Sequence, residues 1–301
     1  MRAHLPLLVL PFLLLGCATP ARTPISFEPA AARAAPIFDG HDGARLSWTA
    51  LLDRVAQSDI IILGEQHNDA MGHAVERSIV ADTVERWPAT TLTMEMLERD
   101  DQPLVDDYFD EIITVDQFRT MTRSSAWGGP GGWVAWYQPI IDAVRHGGGR
   151  LVAANAPRRY VRLARTDGYD RLRALPASRR AFFEIPVDAD DDAYHTRFRE
   201  TMAGVHPEED EAEKIDALYR SQLVWDATMA ASIAEAFADG AAKVVHVVGQ
   251  FHCDFQGGTV QQLRARTADA SIMVISLQPA AATALREEDR GRADAVIYTG
   301  G

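Results

Sequence analysis

The sequence predicts an α/β protein: a mostly parallel sheet with helices on both faces, plus an inserted all-helical subdomain. Three observations carry this. Short apolar runs recur at Asp59–Leu63 (DIIIL), Thr90–Met94 (TTLTM), Arg150–Ala154 (RLVAA) and Lys243–Val248 (KVVHVV). Strands that are apolar almost throughout belong to parallel sheets covered on both sides. Helical patterns separate these runs, as crossover connections require. Finally, residues 158–240 hold helical periodicity with no strand, which marks an insertion between the third and fourth of these strands.

Composition sets the limits. The 301 residues are 47% hydrophobic and 24% charged, the profile of a soluble globular protein; no stretch suits a multi-span membrane bundle. A net charge of -13 argues against a nucleic-acid-binding surface, which needs clustered cations. The two cysteines, Cys17 and Cys253, cannot build a disulfide framework or a Cys-rich zinc site.

At the N-terminus, Arg2 and His4 precede an apolar run from Leu5 to Leu15, about half of what a membrane-crossing helix needs. Residues 1–16 therefore read as a signal peptide. Leu14-Leu15-Gly16-Cys17 resembles the bacterial lipobox, in which the Cys thiol is diacylated and becomes the mature N-terminus. Multiple acyl chains anchor stably. Ala18, rather than Asp, after Cys17 predicts sorting to the periplasmic side of the outer membrane. Residues 17–36, rich in Ala and Pro, read as a tether without a core of its own. The sheet domain is expected over 37–157 and 241–301.

Within that domain Asp59–Leu63 is a buried strand ending at Gly64. Asp69 caps a helix that runs to Trp87 and stops at Pro88. Thr90–Met94 ends at Glu95. Helical pattern follows near Asp101 and over Val134–Arg145, halted by Gly147-Gly148-Gly149. Arg150–Ala154 ends at Asn155, and Lys243–Val248 ends at Gly249. Ile215–Phe237 is a strong amphipathic helix, Ser271–Leu277 a fifth strand and Ala295–Tyr298 a sixth.

Ligands of open parallel sheets bind beyond the carboxyl ends of the strands. The strand ends here carry Gly64-Glu65-Gln66-His67, Glu95, Asn155 with Arg158 nearby, and Gly249-Gln250-Phe251-His252. In an extended chain Glu65 and His67 share a face. Glu65, His67, Glu95 and His252 together suit acid–base chemistry or a divalent metal. The plainer alternative is that Glu65 and His252 only hydrogen-bond loop backbone; four such residues at strand ends favour a shared cleft.

Ile62-Leu63-Gly64-Glu65-Gln66-His67-Asn68, Met94-Glu95-Met96 and Val248-Gly249-Gln250-Phe251-His252 resemble the ChaN-type lipoproteins, in a group with erythromycin esterases and Tiki/TraB proteins. Ala153–Arg159 and Gln222–Ala230 add supporting matches, and the likeness spans about residues 60–274. It implies a sheet domain with a helical domain, and a homodimer able to hold two face-to-face haems. It further implies haem or iron uptake at the envelope, beside an outer-membrane haem or iron transporter. The family's Tyr ligand to haem iron would fall on Tyr194, with His195 and His206 as neighbouring cofactor contacts; Tyr219 is the other Tyr of this region. Tyr194, Phe198, Met202 and His206 form a helical stripe, which equally suits packing. Arg197 and Arg199 could pair haem propionates, but a solvated face among Asp190, Asp191 and Glu200 is the favoured reading.

Other features weigh less. Trp127-Gly128-Gly129-Pro130-Gly131-Gly132-Trp133 lacks the Lys and Ser/Thr of a phosphate loop and reads as a loop pinned by its tryptophans rather than a flap. Asp226, in the seam Gln222, Trp225, Asp226, Met229, is costly to bury unless paired, which points it toward the cleft. The run Glu208–Glu211 reads as a solvated helix start, and Cys253 as buried. The leading functional expectation is thus an outer-membrane lipoprotein binding haem. The alternative is an acid–base or metal-dependent esterase or peptidase using the strand-end Glu/His set; a third is a docking lipoprotein with a vestigial cleft.

Overall fold

A computed structural model describes residues 24–187, 192–205 and 212–300. Its strands are β1 (Ile37–Asp39), β2 (Arg45–Leu46), β3 (Ile60–Glu65), β4 (Thr90–Glu98), β5 (Arg150–Asn155), β6 (Lys243–Gly249), β7 (Ile272–Gln278) and β8 (Ala295–Tyr298). They form one sheet in the order β2-β1-β8-β7-β3-β6-β4-β5. Strands β3 to β8 run parallel, and the β1–β2 pair adds an antiparallel edge. The α/β class and the six expected strands are borne out. The edge pair is too short to leave a periodic signal.

The helices are α1 (Pro29–Arg33), α2 (Trp48–Gln57), α3 (Ala70–Arg86), α4 (Gln102–Phe109), α5 (Val115–Met121), α6 (Gln138–His146), α7 (Arg158–Arg173), α8 (Ala177–Arg180), α9 (Asp192–Val205), α10 (Ala212–Ala238) and α11 (Thr259–Arg264). Asp69 caps α3 as expected, its carboxylate accepting from the Met71 N–H at 3.1 Å. Trp133–Tyr137 forms a turn of π-helix leading into α6.

Successive strand residues face opposite layers. In β3, Ile61 and Leu63 join Val75 and Ile79 of α3 and Ile140 and Val144 of α6. Ile60 and Ile62 join Met229 and Ile233 of α10 and Val260 of α11 on the other face. Fully burying each such side chain contributes about 1.5–3 kcal/mol, so these two layers hold the sheet.

Two expected boundaries move. The segment before Pro36 is not all tether: Ala32 of α1 is fully buried, and Arg33 pairs with Asp82 of α3. The three alanines, Ala30, Ala31 and Ala32, let this short helix lie close on α3. Nor does the helical region end as a separate body at residue 240. Helix α10, about 40 Å long at 1.5 Å per residue, packs on α7 and also on β4, β5 and β6. Its C-terminal half is therefore one of the sheet's own covering layers.

Candidate functional site at the strand ends

Register brings the candidate residues to one rim. Glu65 at the end of β3 pairs with Gly249 at the end of β6, and Met94 of β4 pairs with Val247. Glu65 shares the face of Ile61 and Leu63, toward α3. Glu95 has the opposite parity to Met94 and turns toward α10. The two carboxylates thus leave the sheet on different sides, and the loops after the strands close the gap between them.

On the α3 side, Glu65 is 2% exposed. Its Oε1 lies 2.6 Å from His67 Nδ1 and accepts from the Tyr137 hydroxyl at 2.6 Å. His73 Nδ1 lies 3.2 Å from Glu65 Oε2 and 2.9 Å from Glu76 Oε2. Burial alone would raise the Glu65 pKa, but His73 and His67 outweigh it and hold the group well below the carboxylate range. Glu76 goes the other way, pushed well up by burial and by Glu65. Burial lowers the His73 pKa, yet Glu65 and Glu76 lift it well above the ordinary imidazole value. The His67 side chain is 40% exposed. Its ring meets Trp127 edge-on at 4.9 Å, and with Nδ1 on Glu65 its Nε2 is left toward the cleft.

On the α10 side, Asp226 has no exposed surface. Its burial is compensated by donors: Tyr194 at 2.9 Å, Thr259 at 2.8 Å and His252 Nδ1 at 2.6 Å. Burial pulls the His252 pKa down, but Asp226 and Glu95 together raise it to about 9. Glu95 accepts from the Gly249 N–H at 2.7 Å and lies 3.7 Å from His252 Nε2. Asn155 donates to the Glu95 carbonyl at 3.0 Å and fixes that strand end. Glycine at 249 leaves room for a close approach. A Cβ there would stand 3.1 Å from His67 Nε2 and 3.4 Å from Glu95 Oε2. Gly258 (φ 51°) is likewise held against Asp226 and the Tyr194 hydroxyl.

Glu65, His67, Gln222, Gly249 and His252 line a cavity of about 680 Å³, within the range of cofactor sites, with Asp226 and Glu95 directly behind them. Phe198, Met202, Phe251 and Phe255 give it apolar surface, and Arg197 and Arg292 are its guanidinium groups.

The structure gathers all four strand-end residues, Glu65, His67, Glu95 and His252, and brings Asp226 to them as its burial cost requires. It revises the helical-region expectations. Tyr194 is fully buried, donates to Asp226 and accepts from Gln222 at 2.9 Å. In this arrangement the Tyr194 hydroxyl is engaged by Asp226 and Gln222, behind the Gln222 side chain that lines the cleft. His195 lies apart, paired with Asp216 at 3.2 Å and stacked on Tyr219. His206, Cys17 and the Glu208–Glu211 run lie outside the described residues. Arg197 is not on a solvated face; it lies over Phe255 and donates to the Asp254 carbonyl at 3.1 Å, whereas Arg199 is exposed. The tryptophans do pin the Gly-rich loop, with Trp133 buried and Trp136 stacked on His73. Cys253 is buried, and burial pushes its thiol pKa well up, away from reactivity. Sequence reasoning missed His73, Glu76 and Tyr137. The spacing His73-x-x-Glu76, just after Glu65 and His67, was the available signal.

A buried-floored cleft at the carboxyl ends of a parallel sheet, walled by a helical insertion, defines a ligand-binding α/β protein. The chain belongs to the family described as haem-binding uptake, Tiki superfamily, ChaN, which matches residues 51–263. Among solved structures, ChaN of Campylobacter jejuni, described with cofacial haem binding, superposes with a TM-score of 0.67 at 17% identity. That alignment covers 87% of this chain and 96% of that one, and it shows a shared fold. The type III effector HopBA1 (TM-score 0.47, 11% identity, 83% of this chain, 92% of that one) and erythromycin esterase EreC (0.45, 11%, 80%, 76%) are more distant. No curated protein matches the sequence.

Proposed function

We propose that this chain binds haem in the strand-end cleft, with His67 Nε2 as the iron ligand. The observation that carries it is the setting of His67: a part-exposed imidazole whose Nδ1 is bound to a buried carboxylate, leaving Nε2 at the cavity. That carboxylate–imidazole pairing fixes the tautomer and raises the basicity of the ligating nitrogen. The donor set fits, because haem iron commonly takes a His. Bound haem would supply a ferric iron that such a nitrogen could hold. Phe198, Phe251 and Met202 offer the porphyrin apolar surface, and Arg197 offers a guanidinium to its carboxylates, while Arg292 is already paired with Asp254 and Asp289. A haemin titration tests this: the wild type should give a shifted Soret band that His67→Ala abolishes and added imidazole restores. An unchanged haemin spectrum with wild type overturns it.

Family membership and the lipobox-like Leu14–Cys17 support a finer reading. In it the protein is a homodimer anchored through Cys17 to the periplasmic side of the outer membrane, passing haem to or from an outer-membrane transporter. Among the described residues no helix is long and apolar enough to cross a membrane, so attachment would fall to the lipid. Cys17→Ser should move the protein from the membrane fraction to the soluble periplasm; unchanged membrane partition overturns the anchor.

A second reading rests on the two carboxylate–imidazole pairs, Glu65–His67 and Asp226–His252, whose imidazoles line one cleft with Glu95 close to both. A charged His252 beside a carboxylate suits general-acid and general-base roles in ester or peptide hydrolysis, with or without a divalent metal in the cleft. An esterase and peptidase panel, with Glu65→Gln as control, separates it from haem binding.

A further inference from the structure

We propose that Glu65, His73 and Glu76 form a closed site for one divalent transition-metal cation beneath the cleft floor. It is distinct from the haem reading and does not rest on it. One ligand atom from each residue can be chosen so that all three lie within 4.8 Å of one another, and all three residues are buried.

The first argument is hydrogen-bond accounting. Glu65 Oε2 and Glu76 Oε1 are buried and receive no hydrogen bond among the described residues. Buried polar atoms are rarely left unmet, since each costs its full desolvation. Glu65 Oε2 points into the cluster, 3.2 Å from His73 Nδ1. A cation held between these oxygens meets both charges at once.

The second argument is the orientation of His73. Its Nε2 lies 3.3 Å from the His67 carbonyl, which can accept only an N–H. That bond places a proton on Nε2, so Nδ1, which faces both carboxylates, is the nitrogen a cation would take by displacing its proton. A backbone carbonyl on the far nitrogen is the support that metal-bound imidazoles ordinarily have. The ring is also locked, stacked on Trp136 at 5.1 Å and edge-on to Tyr137 at 4.6 Å. Preorganised ligands of this kind keep their geometry without a metal.

The third argument is ligand type. One imidazole with two carboxylates suits Zn²⁺, Mn²⁺ or Fe²⁺ rather than the oxygen-only shells of Ca²⁺. His73 and Glu76 are three apart on α3 and share a face, so one helix supplies two ligands and β3 the third. Glu65 then serves two partners with two oxygens, Oε1 toward His67 in the cleft and Oε2 toward the cation below.

The test uses metal-stripped, haem-free full-length protein titrated with ZnCl₂ and MnCl₂, read by calorimetry and thermal unfolding. One ion per chain should bind and raise Tm. Glu76→Gln and His73→Gln should weaken binding by about tenfold or more, while His67→Ala and His252→Ala keep it. X-ray absorption of the Zn²⁺-loaded wild type should report a single imidazole with oxygen neighbours, which secures the test should a variant fail to fold. No binding by wild type, undiminished binding by Glu76→Gln, or two imidazoles at the metal each overturns the proposal. Loss of binding confined to His67→Ala and His252→Ala also overturns it, placing the ion in the open cleft. Because no haem is present, the outcome is independent of the haem titration.

Discussion

His252 Nδ1 stands 2.6 Å from Asp226 Oδ1, and the carboxylate it faces is sealed from solvent. The pair links the loop after β6 to the middle of α10. Because Asp226 and Glu95 lift His252 from the ordinary 6.5 to about 9, protonated His252 favours the folded state. The raised folded pKa makes this stabilisation complete below about pH 6.5 and lost as pH rises through 9. Its size is roughly 3 kcal/mol. Chemical denaturation from pH 6 to 10 should show stability falling across that window, and His252→Gln should flatten the profile. A wild-type profile flat from 6.5 to 9 contradicts the assignment.

Tyr194→Phe separates a wall residue from an iron ligand. Losing the hydroxyl leaves Asp226 and Gln222 each short of a partner, which costs about 1–3 kcal/mol. Urea denaturation should report that loss, while the Soret position of the haem-loaded protein stays where it is. A Soret shift on this substitution would restore Tyr194 as the ligand.

Gly249→Ala inserts a methyl between His67 Nε2 and Glu95 Oε2. Crowding at 3.1 Å should cost about 1–3 kcal/mol and displace His67 from the cleft. Haemin affinity should fall while far-ultraviolet circular dichroism is unchanged. Wild-type affinity in this variant would mean that the gap between the two side chains is not where ligand enters.

Tyr137→Phe removes the donor that shares Glu65 Oε1 with His67. The carboxylate then pulls harder on the imidazole, so the His67 pKa, already raised, should climb further. Proton NMR of the His67 ring reads this directly; a downward movement would refute the shared-acceptor arrangement.

The six parallel strands were legible because each is a mainly apolar run broken only by hydroxyl residues, one His or a leading charge, the form that double-sided burial imposes. The four strand-end residues were legible for the same reason: a parallel sheet ends its strands together, whatever the chain distance between them. Asp226 was readable as an acid in an apolar helical seam. The roles of Tyr194 and His195 were not, since a stripe of aromatic and imidazole residues looks alike whether it packs or ligates. Only the tertiary position of Asp226 decided that Tyr194 is a hydrogen-bond donor. His73 and Glu76 left only their i, i+3 spacing as a signal, and Tyr137 none, because their partner, Glu65, lies on another element.

Helix α10 carries Gln222 and Asp226 at the cleft and Met229 and Ile233 against the sheet on a single unbroken rod. The binding wall therefore cannot swing without tugging the interior. Amide protons around Asp226 should exchange with deuterium as slowly as those of the central strands, so capture of a ligand would be felt as stiffening of the whole body rather than as motion of a hinged flap.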